Sequence, residues 1–243
     1  MTEPPGSTAP LARRNPVAKL GAAMVLTLAL LATLDPVTPA IAVAVELAVF
    51  PAFGLRYRML VRQAWPLLAA AFGVVVVQVL FGTPAAAFGL ALRVLAVALP
   101  GLLVFATTDP TDLADALIQN VKLPARFAIG ALAAFRLVPL LTDEWRLLVM
   151  ARRARGIDAG RNPLAALRLF AGAMFALLVG AIRRGTRLAT AMDARGFDAR
   201  VPRTVARPQR FTAADLALVL GGAAAGVLAL GTSVVTGVFR PVL

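Results

Sequence analysis

The sequence predicts an all-α, polytopic membrane protein with about five transmembrane helices and long, Arg-rich cytoplasmic helices. Three observations predict it. Hydrophobic residues make up 60% of the 243-residue chain and the mean hydropathy is +0.82, too apolar for an ordinary soluble domain. The formal net charge is +13, and the basic residues fall between apolar runs, so the charge flanks a membrane rather than forming a nucleic-acid-binding face. The chain has no Cys and no His, which removes disulfides, thiolate nucleophiles, His-ligated metals and Ser-His-Asp chemistry from the inventory. No catalytic residues, metal site or cofactor are expected.

A helix needs roughly 20 residues to cross a hydrocarbon core of about 30 Å. The tail at 1–19 carries Pro4, Pro5, Pro10, Arg13 and Arg14 with no small-residue cleavage signature after the first apolar run, and is expected as an uncleaved cytoplasmic segment. The first span, Leu20 to Leu34, is short, so Lys19 is expected to snorkel and Asp35-Pro36 to mark the far boundary. The second runs from Val37 to Leu55, the third from Trp65 to Phe81 with Trp65 at the interface, and the fourth from Ala86 to Thr108 with Pro100 as a kink. These four form a membrane domain at 20–108; 109–212 is expected as a cytoplasmic domain, and 213–243 holds the last span, Ala213 to Phe239. With the N-terminus inside, Arg13, Arg14, Lys19, Arg56, Arg58, Arg62 and the basic residues of 109–212 are cytoplasmic and Arg240 lies outside, in accord with the positive-inside rule.

Two further apolar stretches test this scheme. Phe127 to Leu141 is interrupted by Arg136 and Pro139, and the 14 uncharged residues between Arg168 and Arg183 span only about 21 Å as a helix. Both are expected to lie beneath the membrane. A seven-span alternative would put Arg152, Arg153, Arg155 and Arg161 outside, against the orientation rule.

The most informative local feature is Ala154-Arg155-Gly156-Ile157-Asp158, which returns as Ala194-Arg195-Gly196-Phe197-Asp198. Each copy ends a helical run. Gly just past a helix accepts a left-handed backbone, and Arg in the last turn faces the negative end of the helix dipole. Capping explains one Arg-Gly; two matched ends also suggest two matched sockets, since Arg offers a planar fork of donors to carboxylates or carbonyls on a partner. The two roles are compatible.

Here the sequence resembles the T component of energy-coupling-factor transporters, in which paired Ala-Arg-Gly motifs end long cytoplasmic coupling helices. Asn15-Pro16 with Lys19-Leu20, Thr108-Asp109-Pro110 with Leu113 and Ala116-Leu117, and Leu123-Pro124 are similar to that family's pattern. So are Arg136 and Pro139 with Glu144 ahead of the first motif, Ala191-Met192 ahead of the second, and Arg203-Thr204 after it. The resemblance implies a non-catalytic coupling subunit of an ABC importer for a vitamin or transition-metal ion. Two cytoplasmic ABC-type ATPase subunits would receive Arg155 and Arg195, with Gly156 and Gly196 ending the helices. A membrane-embedded S component would bind substrate. The implied location is a bacterial or archaeal cell membrane. In keeping with it, the chain lacks a G-x-x-x-x-G-K-[ST] phosphate loop.

Inside the spans, Glu46 and Arg93 lie at similar depth and form a candidate intramembrane pair, the alternative being separate contact with water. Gly221, Gly222, Ala225 and Gly226 allow close approach in the last span, within the chain or to an S component. Pro202 to Arg210 suits anionic headgroups, and Asp112 and Asp115 complement a helix dipole after Pro110. A phosphatidyl-transferase would need a regular Asp series that is missing. A self-contained permease or channel, the remaining alternative, would carry polar residues through several spans.

Overall fold

The computed structural model describes residues 11, 13–54, 61–62, 64–82, 84–160, 162–197, 205 and 207–239. Every regular element among them is helical: α1 (Pro16–Leu31), α2 (Val37–Val49), α3 (Trp65–Phe81), α4 (Pro84–Thr107), α5 (Pro110–Asn120), α6 (Ala125–Ala154), α7 (Pro163–Ala194) and α8 (Ala213–Val235), with a 3-10 turn, Phe50–Phe53, extending α2. Local chemistry explains the starts. Asn15, Asp109 and Asn162 accept hydrogen bonds from backbone N–H groups of the first turns of α1, α5 and α7, each followed by Pro at the first helical position. Thr212 and Asp215 form a reciprocal capping box at α8.

The chain divides into two compact units, Met1–Lys122 with Pro208–Leu243, and Leu123–Arg207. In the first, α1 packs along α8, α2 against α4 and α8, and α3 against α4. Leu26, Leu30, Ala42, Ala96 and Ala225 form one buried cluster, and Phe50, Phe53, Ala64, Leu99 and Leu103 another. Close packing of α1 on α8 depends on glycine: a Cβ on Gly222 would stand 2.9 Å from the Ala22 carbonyl oxygen, and one on Gly226 would stand 2.8 Å from Ala29 Cβ. Two of the four small residues singled out in the last span therefore serve packing within the chain.

Among the described residues each of the five predicted spans is largely helical, and of these helices two, Ala87–Thr107 and Ala213–Val235, reach 18 residues while 16–31, 37–53 and 65–81 are shorter. The two remaining apolar stretches, expected as parts of long helices, are helical. Helix α6 runs unbroken through Arg136 and Pro139 for 30 residues, and α7 for 32. One proline removes a single backbone donor, and on an exposed face the freed carbonyl is open to solvent. By length and composition both helices are also long enough to cross a membrane, so length does not separate them from spans and only the distribution of arginines does.

Two intramembrane expectations are corrected. Lys19 does not snorkel: it is 3% exposed, and its Nζ donates at 2.9 Å to the carbonyl of Thr107, the last residue of α4. A helix C-terminus has unsatisfied carbonyls and a partial negative charge, which draw the ammonium inward. Nor do Glu46 and Arg93 pair. The Arg93 guanidinium donates to the carbonyls of Leu30 and Thr33 at the end of α1, again helix-terminal acceptors. Glu46 instead faces Ala22 and Leu26 across a cavity, one to two turns back along α1, and neither of its carboxyl oxygens has a partner among the described residues.

Beside Arg93, the turn between α1 and α2 is organised by Asp35, 2% exposed, whose carboxylate accepts from the Thr33 hydroxyl and from the Thr38 backbone N–H (2.7 Å) and hydroxyl (2.8 Å). Burial pushes this carboxyl up, but the hydrogen bonds from Thr33 and Thr38 outweigh it and hold the group below its ordinary range. A carboxyl depressed in the folded state stabilises above its unfolded value of about 3.9, and that contribution is lost as pH falls below it. Thermal unfolding in detergent between about pH 5 and pH 3 is therefore expected to show an acid limb that flattens in Asp35→Asn. In the same assay Gly222→Leu is expected to cost about 1–3 kcal/mol by overpacking against α1, whereas Gly221→Ala, with nothing within 4 Å of its Cβ, is close to neutral.

Candidate partner-docking site

Both Ala-Arg-Gly motifs close their helices with the same hydrogen-bond pattern. At the end of α6, Gly156 N–H donates to Arg153 O at 2.9 Å and Ile157 N–H to Arg152 O at 3.0 Å. At the end of α7, Gly196 N–H donates to Asp193 O at 2.9 Å and Phe197 N–H to Met192 O at 3.0 Å. These are two Schellman motifs, with Gly156 and Gly196 left-handed at φ 72° and 69°. The motif normally places an apolar residue after the glycine, so Ile157 and Phe197 belong to the cap itself. Capping accounts for Gly and the apolar residue. It makes no use of the arginine side chains: Arg155 and Arg195 are both exposed, as are Ala154 and Ala194.

The pair α6 and α7 belongs to the second unit. Residues that meet across it run in opposite order, Glu144 with Arg184 and Arg152 with Leu169, so the helices cross antiparallel. Their C-terminal ends therefore leave the crossing in opposite directions. From the crossing, Arg155 is about two turns away and Arg195 about five, which at 1.5 Å per residue separates the two tips by roughly 30–40 Å.

Few interactions hold this crossing. Arg184 pairs with Glu144 at 2.7 Å, Arg152 donates to the Leu169 carbonyl at 2.6 Å, and Trp145 meets Phe170 edge to face at a centroid distance of 5.4 Å. At both polar ties α7 presents a glycine: a Cβ on Gly172 would stand 3.5 Å from Arg152, and one on Gly180 would stand 3.5 Å from Glu144. Outward faces remain apolar, with Phe127, Phe135, Leu147, Leu167, Phe175 and Ile182 each at least half exposed.

Of the supporting residues, Glu144 is at the crossing, Arg136 lines a cavity of about 460 Å³ between α6 and α7 together with Arg184, and Pro139 is an exposed residue inside α6. Arg203 and Thr204, with Asp198, lie outside the described residues. Sequence reading missed Arg184 and Arg152. Partners 40 and 17 positions away leave no periodic signal.

Comparison with known proteins gives a consistent picture. Residues 7–205 match the family described as cobalt transport protein, CbiQ. The energy-coupling factor transporter transmembrane protein EcfT of Exiguobacterium sibiricum is 33% identical over 134 residues, covering 52% of this chain and 51% of that protein. The protein EcfT 1 of Listeria monocytogenes is 28% identical over 223 residues, 81% of this chain and 84% of that one. A Bifidobacterium longum protein bearing the name of an ABC transporter ATP-binding protein is 28% identical over 229 residues, 84% of this chain but 29% of that longer protein. The chain thus spans about half the length of the first of these relatives.

Replacing Gly156 or Gly196 by Val is expected to destabilise the local cap by about 1–2 kcal/mol, because a Cβ in the left-handed region meets the following carbonyl. Hydrogen exchange at the amides of Ile157 and Phe197 measures this, each rising only for the variant at its own helix end.

Proposed function

This chain belongs to the CbiQ cobalt transport protein family, and on that premise we propose that it is the transmembrane coupling component of an energy-coupling-factor importer. It transmits ATP-driven movement of two cytoplasmic ATPase subunits to a substrate-binding S component. The observation that carries the reading is the matched pair of Arg-Gly ends at opposite tips of one crossed helix pair. Two exposed guanidiniums roughly 30–40 Å apart cannot share one socket. They suit two similar grooves, each lined with carboxylates or carbonyls that accept from the planar fork.

Helices α6 and α7 then act as levers about their crossing, which lies between the Glu144–Arg184 and Arg152–Leu169 contacts. When ATP binding and hydrolysis change the distance between the ATPase subunits, the tips at Arg155 and Arg195 are drawn together or apart, and the change in crossing angle reaches whatever rests on the apolar faces. The S component, itself apolar, is the proposed occupant of those faces. This chain performs no chemistry. Similarity of nearly the whole chain to part of a longer protein named for ATP binding supports ATPase partners, since covalent joining in one organism suits association in another.

The second unit lies on the cytoplasmic side under this reading, with the N-terminus inside and the C-terminus outside, because that orientation keeps Arg152, Arg153, Arg155, Arg183, Arg184, Arg187 and Arg195 in the cytoplasm. Substrate choice, a vitamin or a transition-metal ion, rests with the S component.

The test is affinity purification of the tagged chain from its native membranes in mild detergent, with partners identified by mass spectrometry. The wild type is expected to bring down ATPase subunits and a small hydrophobic protein, and Arg155→Glu with Arg195→Glu to lose the ATPases. Wild type recovered well folded but alone, or ATPases that survive both charge reversals, would overturn the docking assignment in favour of a self-contained permease.

A further inference from the structure

The first unit contains a half-open cavity of about 480 Å³ lined by α1, α2, α4 and α8. Its walls are almost entirely apolar, formed by residues such as Leu26, Phe53 and Gly221. Three charged side chains reach it: Arg14, Lys19 and Glu46. Lys19 is engaged with the Thr107 carbonyl. Glu46 is 7% exposed, yet among the described residues both of its carboxyl oxygens are without a hydrogen-bond partner, and Arg14 Nε is likewise buried and without an acceptor there, although Asp215 attracts its charge.

In an apolar surrounding an unpartnered carboxyl is among the costliest groups a fold can retain. A buried water needs two to four polar partners, and the lining is apolar apart from Arg14, Lys19 and Glu46, so water alone leaves most of the wall unmatched. What fits is one molecule with three properties. It needs an N–H donor for Glu46, an anionic acceptor for Arg14 and an apolar body for the walls.

We propose that this cavity binds a membrane phospholipid whose headgroup carries a primary ammonium, with its phosphate on Arg14, its ammonium on Glu46 and acyl chain against the apolar wall. A primary ammonium has three N–H donors to offer a carboxyl, whereas a quaternary ammonium has none. Charge-assisted hydrogen bonds at both ends make the headgroup the basis of selectivity. Gly221 contributes by leaving space: a Cβ there meets nothing within 4 Å, so a larger side chain at this position fills the cavity instead of displacing a helix.

The full chain is purified in mild detergent, equilibrated with micelles containing equal amounts of phosphatidylethanolamine and phosphatidylcholine, and washed. Retained lipid is counted by native mass spectrometry, with the thermal midpoint in each lipid as a second reading. Wild type is expected to keep one phosphatidylethanolamine per chain, about tenfold in preference to phosphatidylcholine. Glu46→Gln brings retention down to the phosphatidylcholine level, and Gly221→Leu abolishes retention of both. Should Glu46→Gln fail to fold, Arg14→Gln tests the other end of the headgroup: it removes the contact to the phosphate that both lipids carry and is expected to lower retention of both, and unchanged retention in that variant equally sinks the assignment. Equal retention of the two lipids, no lipid retained by wild type, or unchanged preference in Glu46→Gln sinks the assignment. None of these outcomes bears on ATPase capture, so the lipid site and the coupling role stand or fall separately.

Discussion

The last carbonyls of an α-helix have no partner within the helix, and where water is scarce another group must supply the donor. Arg93 supplies it for α1 through the carbonyls of Leu30 and Thr33, and Lys19 supplies it for α4 through Thr107. Both cations lie in apolar segments where an isolated charge would be costly. At a helix end each finds acceptors and the negative pole of a dipole together. The same constraint is met by other means in the second unit, where glycine at the ends of α6 and α7 folds the backbone back on its own carbonyls. That solution leaves Arg155 and Arg195 with nothing to cap.

Packing follows different rules in the two units. In the first, helices approach closely because Gly222 and Gly226 offer no Cβ to α1, and Leu30, Ala42 and Ala96 are almost wholly buried. Such contacts have one good fit and resist sliding. In the second, the ties shown between α6 and α7 among the described residues are two polar contacts and one aromatic contact. These ties cover 144–152 of α6 and 169–184 of α7, and both Arg-Gly tips extend past them. That property suits the proposed transmission of movement, and the exposed apolar faces give the moving element a surface to grip.

Glu46 connects these themes. Its depth along α2 resembles that of Arg93 along α4, and counting residues from the helix ends made the two natural partners. The helices are staggered, however, and the carbonyl pair at the end of α1 takes the guanidinium instead. Glu46 is left in a cavity that the small residues of α8 hold open, which is why an amphiphile with a donor headgroup is the chemistry proposed for it.

Much of the fold was legible before any coordinates. Apolar runs of known length locate spans, Pro110 marks a helix start, and Gly156 and Gly196 announce two ends, because all of these act between residues a few positions apart. The repeated Arg-Gly was legible as a pair, and Arg136, Pro139 and Glu144 as its company. Hidden from the sequence were the bracing of Glu144 by Arg184, the inward turn of Lys19, and the separation of Glu46 from Arg93. Composition and local spacing alone determined that this chain is helical, enters a membrane and carries two matched helix ends. Which charge meets which acceptor was decided only by tertiary structure, since that depends on the stagger and crossing of helices far apart in the chain, and a shift of one turn, about 5.4 Å, exchanges one partner for another.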